Sequence, residues 1–133
     1  FSGELTQAEL KQLNKGRGGL IDLLGTADLR EVEKRVADGD KDATAVYEAM
    51  IYDISKNITA LLPAFSGEKV DQVLLTGGMA RSKQLVERIT QATSAMGCGL
   101  TAYPGENEMM ALAKGALRVL NNQEPALKYS EEK

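Results

Sequence analysis

The chain has 133 residues, 43% of them hydrophobic and 26% charged, which suits one soluble domain with a modest core. It contains no histidine and one cysteine, so histidine-based triads, histidine zinc sites and an intramolecular disulfide are excluded, and any catalysis must rest on carboxylates, Lys, Arg or backbone amides. The net charge of −3 includes no basic stripe, and no apolar run approaches the roughly 20 residues that span a bilayer, which predicts a cytoplasmic protein that binds neither nucleic acid nor membrane.

The first 27 residues are predicted to form a lead helix and a glycine-rich segment. The chain begins Phe-Ser-Gly without an initiator methionine, and we expect it to be a fragment of a longer protein. Thr6 and Glu9 have the spacing of a capping box, which predicts a helix over residues 5–13. Residues 15–19 should break this helix, and a short apolar run closed by Gly25 follows.

Two amphipathic helices are predicted next. Apolar residues at helical spacing indicate a helix that begins at Asp28 and stops at Gly39. Residues 41–62 carry the longest apolar stripe, over about six turns, before Pro63 and Gly67 end the helix. The members of this stripe are Ala43, Val46, Tyr47, Met50, Ile54, Ile58 and Leu61.

Two strand-to-helix units complete the pattern. Residues 70–76 are short, continuous and rich in β-branched side chains, which predicts a buried strand, and a helix is expected over residues 82–93. A second strand is expected over residues 99–103, and a final helix from Met109 to Leu120 precedes a polar tail. Connections of helix length predict parallel strands covered by helices, in the α/β class.

The loops that follow the two strands are the expected ligand sites, because ligands bind parallel sheets beyond the carboxyl ends of their strands. The first loop, residues 76–82, contains Gly77 and Gly78, which allow a close approach of backbone to ligand or a positive φ. The N-terminus of the next helix favours anionic groups. The same glycine pair also suits a tight turn that binds nothing, and it lacks the spacings of Walker and dinucleotide-binding loops.

Carboxylates mark two further candidate positions. Glu106 and Glu108, after the second strand, could hold a magnesium ion, although a helix cap at Asn107 with acids at the positive helix end also explains them. Asp28 and Arg30 could bracket a ribose or an adenine. The spacing between Asp28 and the acid three residues later also fits a capping box.

Four sequence blocks, taken in their order along the chain, are together a specific signal. They are Gly18-Gly19-Leu20…Leu24-Gly25-Thr26-Ala27-Asp28-Leu29-Arg30-Glu31-Val32-Glu33, then Val46-Tyr47-Glu48-Ala49-Met50, then Leu74-Leu75-Thr76-Gly77-Gly78-Met79-Ala80, and Tyr103-Pro104-Gly105-Glu106-Asn107-Glu108-Met109-Met110-Ala111-Leu112-Ala113. Through these blocks, from Gly18 to Leu120, the sequence resembles the acetate and butyrate kinase family. The start of the last block and the Gly-Ala-Leu-Arg at residues 115–118 resemble butyrate-specific members, since acetate-specific members usually show Asn-Glu-Glu and Ala-Arg-Asp-Thr there.

The resemblance implies the fold and the reaction. The fold would be a partial ribonuclease H-like, actin-like ATPase domain, with this chain as the carboxy-terminal part of a two-domain acyl kinase. Residues 1–27 would be the lead segment, residues 28–120 the nucleotide-binding portion and residues 121–133 the tail. The reaction would be phosphorylation of a short-chain carboxylic acid, butyrate, by ATP with magnesium. The family's catalytic arginines, its other carboxylate and its histidine would precede this sequence, so the chain alone should be inactive.

The resemblance also implies site residues. Ser82 takes the place where acetate kinases commonly carry an Asn that contacts the base. Glu108 matches a carboxylate linked to magnesium, with Glu106 as the second choice. Met79 and the glycine before it would lie along the adenine. The full set of implied nucleotide contacts is Asp28, Leu29, Arg30, Gly77, Gly78, Met79 and Ser82.

Two other interpretations remain open. Family members form dimers through this half of the molecule, and the stripe over residues 41–62 could supply a dimer surface or could simply cover the sheet. The chain could also be a non-catalytic nucleotide-binding or dimerisation module of an actin-like protein. Within the kinase interpretation, acetate and branched-chain acids are alternative substrates.

Overall fold

The computed structural model describes residues 3–105 and 108–127, apart from the side chains of Lys15 and Glu108. These residues form a largely helical α/β structure with a small parallel sheet. The elements are α1 (Gln7–Gln12), α2 (Leu20–Leu24), α3 (Leu29–Ala37), α4 (Lys41–Ala60), β1 (Gln72–Gly77), α5 (Lys83–Ala92), β2 (Gly99–Pro104) and α6 (Glu108–Leu120).

The lead segment contains more helix than its glycines predicted. The capping box is present, because the Thr6 side chain accepts a hydrogen bond from the Glu9 N–H and the Glu9 carboxylate accepts one from the Thr6 N–H. A π-helical turn over Leu13–Arg17 extends α1, so the expected break falls at Gly18 and not at residue 15. A Cβ on Gly18 would lie 2.2 Å from the Leu13 carbonyl oxygen, which explains the glycine there.

The core lies between α3, α4 and α5. Its fully buried members include Val32, Tyr47 and Ile89, one from each of these helices. Most side chains of the apolar stripe of α4 are therefore buried or partly buried in this core. Partly buried side chains from α2 and from one face of the sheet pack against this cluster, among them Leu24, Leu75 and Leu100.

The sheet has β1 and β2 in parallel, with Gln72 opposite Gly99 and Gly77 opposite Pro104. The strands and their order agree with the sequence prediction. The burial of β1 does not, because its side chains alternate and Leu74 is 59% exposed. Within the described ranges, helices cover only one face of this sheet, so a strand expected to be buried on both faces is half-buried.

Helix α6 stands apart from the core. Its apolar side chains are exposed, with Leu117 at 54% and Leu120 at 76% of their full surface. The sequence predicted a helix from Met109 to Leu120, and in the structure it begins one residue earlier. No helix within residues 3–105 and 108–127 is long and apolar enough to cross a membrane.

Candidate functional site

The two predicted loops meet at one edge of the sheet. The Gly105 N–H donates to the Gly77 carbonyl oxygen at 3.0 Å, just beyond the paired strands. Both glycines have positive φ, 89° at Gly77 and 98° at Gly105, which other residues adopt only with strain. A Cβ at Gly105 would also lie 2.8 Å from a guanidinium nitrogen of Arg81. The glycines therefore allow both loops to turn tightly side by side.

A cavity of about 600 Å³ opens between the start of α3 and the turn after β1. Its volume is within the range of small-molecule sites. It brings together two of the segments that the sequence singled out, although they are far apart in the chain. Gly77 directly precedes one wall of the cavity. The lining residues are Ala27, Asp28, Leu29, Arg30, Glu33, Gly78, Met79, Arg81, Ser82 and Lys83.

Asp28 and Arg30 form a fixed pair at the mouth of the cavity. Asp28 caps α3 by accepting from the Arg30 backbone N–H at 3.0 Å. The Arg30 side chain donates to both carboxylate oxygens, at 3.0 and 2.6 Å. These bonds from Arg30 lower the pKa of Asp28 to about 2. The Asp28 carboxylate thus orients an Arg30 side chain that is 90% exposed.

The suggested capping box between Asp28 and Glu31 is not formed. The Asp28 N–H donates to the Thr26 hydroxyl oxygen at 3.1 Å, and that hydroxyl donates to Glu31 at 2.8 Å. The Thr26 hydroxyl thus bridges the Asp28 N–H and the Glu31 carboxylate, which a capping box would join directly. The prediction of a box was wrong because spacing alone does not reveal a competing local hydroxyl.

Glu33 is a cavity residue that the sequence analysis did not select. Its Oε1 accepts from the Tyr47 hydroxyl at 2.9 Å and from the Ser82 hydroxyl. Burial, followed by the hydrogen bond to Glu33, raises the pKa of Tyr47, so this phenol remains a donor. Glu33 lies three residues after Arg30, so the two side chains are neighbours on the surface of α3. This spacing is the sequence feature that could have indicated Glu33 as a cavity residue.

The opposite wall combines free space with positive charge. A Cβ on Gly78 would meet nothing within 4 Å, so a side chain there would occupy open space. Ser82 caps α5 by accepting from the Leu85 N–H at 3.0 Å. Arg81 and Lys83 also line the cavity, and neither has an ion-pair partner among the residues that the structure describes. The sequence analysis did not select these two cations.

The predicted metal site lies largely outside the described residues. Glu106 and Asn107 are not described, and Glu108 is described only as the first residue of α6. Within residues 3–105 and 108–127, no three His, Cys, Asp or Glu side chains form a group that could hold a metal. The Asp28 carboxylate is engaged by Arg30, and Oε1 of Glu33 accepts from two hydroxyls, so these two carboxylates do not by themselves form a metal-binding cluster.

A second cavity, of about 690 Å³, lies beside α6. It is lined by that helix and the segment after it, and its walls are almost wholly apolar. Its charged residue Glu124 is paired with Arg118 at 3.1 Å. This cavity lacks the convergent polar groups that fix a small ligand, so it is the weaker candidate.

The class of protein follows from comparison of the whole chain with known families. Residues 2–128 match the model of the acetokinase family. The chain therefore belongs to the acetokinase family, and the resemblance read from its four sequence blocks is confirmed.

The curated relatives are more specific. The chain is 47% identical over 124 residues to a probable butyrate kinase 2 of Caldanaerobacter subterraneus subsp. tengcongensis, covering 93% of this chain and 34% of that protein. It is 42% identical over 129 residues to a probable butyrate kinase of Clostridium botulinum, covering 97% of this chain and 36% of that protein. The chain thus spans about a third of the length of these relatives.

Proposed function

We propose that this chain supplies the nucleotide-binding part of a kinase that uses ATP to phosphorylate a short-chain fatty acid, butyrate, giving the acyl phosphate and ADP. Membership of the acetokinase family and similarity to proteins named butyrate kinase support the reaction class. The observation that carries the assignment to this chain is the cavity that joins the Asp28–Arg30 segment to the Gly78–Met79 turn.

The adenosine of ATP occupies this cavity. Arg30, held in plane by Asp28, forms one wall, and Leu29 contributes an apolar contact from the start of α3. The Gly77–Gly78 turn lets the backbone approach the base, and Met79, which is 46% exposed, packs against it. Ser82 also lines the cavity.

The catalytic groups are expected outside these residues. Phosphoryl transfer depends on positioning and on charge neutralisation, for which the family resemblance implies arginines and a histidine near the acid. This chain has no histidine. We therefore expect the purified chain to bind nucleotide weakly and to form no acyl phosphate in a coupled assay. Glu108 remains our assignment for the carboxylate linked to magnesium.

The assembly and location of the protein are also proposals. We infer a homodimer and a cytoplasmic location, where ATP and a short-chain acid meet. The helix α4 contributes most of its stripe to the core, so a dimer surface would use its exposed end, where Leu61 is 63% exposed. Light scattering of the purified chain measures whether it is a monomer or a dimer.

Nucleotide titration with matched variants tests the proposed site. We expect Arg30→Ala and Gly78→Val to weaken ADP binding by about tenfold, the equivalent of ~1.4 kcal/mol. Gly78→Val acts by filling the cavity, since the structure leaves room for a side chain there. Arg118→Ala on α6 and Gly99→Val at the far end of the sheet are the controls and should bind as the unaltered chain does. Unchanged affinity in both cavity variants would rule out this placement.

A further inference from the structure

Glu33 presents one oxygen to the protein and leaves the other one available. Both of its hydroxyl donors, Tyr47 and Ser82, approach Oε1. Oε2 has no hydrogen-bond partner among the residues that the structure describes. No polar side-chain atom of the described part of the chain is both buried and unsatisfied, so Oε2 is not fully buried. Glu33 also lines the cavity.

The position of Glu33 is built by the core. Tyr47 is 1% exposed, and its hydroxyl donates to Oε1 of Glu33. The Ser82 hydroxyl, which also caps α5, donates to the same oxygen. Three elements, α3, α4 and α5, thus converge on one carboxylate. A carboxylate held on one oxygen is oriented for recognition by the other, because an ionised carboxylate can only accept hydrogen bonds.

We propose that Oε2 of Glu33 accepts a hydrogen bond from the nucleoside, which makes Glu33 the residue that selects the nucleotide in this cavity. The inference rests on the proposed nucleotide site. Adenosine offers two kinds of donor, the ribose hydroxyls and the 6-amino group of the base. A carboxylate that binds ribose hydroxyls is the usual arrangement in dinucleotide-binding folds.

The role of Ser82 changes accordingly. Its single hydroxyl proton is donated to Glu33, and its oxygen accepts from the Leu85 N–H. Ser82 therefore has no proton left with which to donate to a base. Ser82 acts as a positioning residue, and Glu33 makes the contact with the ligand.

Charge fixes the direction in which the nucleotide lies. A carboxylate repels phosphates, which disfavours the phosphates in the part of the cavity next to Glu33. Arg81 and Lys83 line the same cavity and have no ion-pair partner in the described ranges. The nucleoside end thus lies at Glu33 and the phosphate end lies toward these cations.

The test measures binding of four ligands to the chain and to Glu33→Gln. They are ADP, 2′-deoxy-ADP, 3′-deoxy-ADP and inosine diphosphate, which carries an oxygen in place of the 6-amino group. The substitution keeps the shape and removes the charged acceptor. We expect Glu33→Gln to weaken ADP binding by about 10- to 100-fold, as for a hydrogen bond to a charged group. One analogue should bind the unaltered chain at least fivefold more weakly than ADP, and that difference should vanish in Glu33→Gln.

The analogues distinguish the two donors. If a deoxy analogue binds the unaltered chain more weakly than ADP but binds Glu33→Gln as well as ADP does, the donor is the ribose hydroxyl which that analogue lacks. If inosine diphosphate behaves in this way, the donor is the 6-amino group. Equal affinity of all four ligands for the unaltered chain overturns the role of Glu33, even if the variant does not fold. A chain that binds no ADP refutes the proposed nucleotide site, and this inference with it. ADP binding that is unchanged in a folded Glu33→Gln refutes the role of Glu33 alone.

Discussion

Asp28 combines a structural and an electrostatic role in a single side chain. It caps α3 and at the same time holds the Arg30 guanidinium with two hydrogen bonds. Such pairs usually suggest a choice between a helix cap and a ligand contact. Here the cap is what orients the arginine at the cavity, so both interpretations describe one arrangement.

The titration of Asp28 tests this arrangement. Arg30 lowers the pKa of Asp28 from its ordinary value near 4 to about 2. Because the folded pKa is depressed, the associated stability is present above pH ~4 and is lost as the pH falls toward ~2. We expect the carboxyl carbon resonance of Asp28 to titrate near pH 2, and at a higher pH in Arg30→Ala, which loses the guanidinium but keeps the backbone N–H donor. A midpoint near 4 in the unaltered chain would show that the pair does not form in solution.

At the scale of elements, the sequence predicts the helices of the core better than their surroundings. The caps at Thr6 and Asp28 and the stripe of α4 were predicted from the sequence, because neighbouring residues decide them, whereas the cap at Ser82 was found only in the structure. The exposure of β1 and α6 was not readable, since an apolar residue does not reveal which surface will cover it. Glu33 was missed for a related reason, because its hydroxyl donors come from two other helices.

The turns at the carboxyl ends of the strands depend on glycine. Alanine at Gly105 would have to adopt φ near 98° and would place its Cβ 2.8 Å from the Arg81 guanidinium. We expect Gly105→Ala to lower the free energy of unfolding by about 1–3 kcal/mol, the typical cost of a strained backbone. The control is Gly99→Ala, whose Cβ would meet only a flexible side chain at 3.7 Å. Equal unfolding midpoints in urea for the two variants would show that the Gly105 turn is not constrained.

At the scale of the whole molecule, stability is concentrated in the packed helices. Ile89 on α5 is 1% exposed and belongs to the core cluster, whereas α6 presents its leucines to solvent. The cavity that we propose for the nucleotide is not lined by any described residue of α6.

A pair of truncations compares these two regions. We expect Ile89→Ala to lower the free energy of unfolding by about 2–5 kcal/mol, because it leaves a cavity in the core. Leu117→Ala should change it by no more than about 0.5 kcal/mol, since that side chain is 54% exposed. Both values come from urea unfolding followed by circular dichroism. A large loss in Leu117→Ala would mean that α6 packs onto the core in solution.

We propose that one nucleotide cavity joins the start of α3 to the turn after β1. Its most direct test is amide chemical-shift mapping by NMR during titration of the labelled chain with ADP. We predict that the largest shifts fall on residues 27–33 and 78–83, with smaller changes along α6. Shifts confined to residues 111–127, or no shift at saturating ADP, would contradict the account.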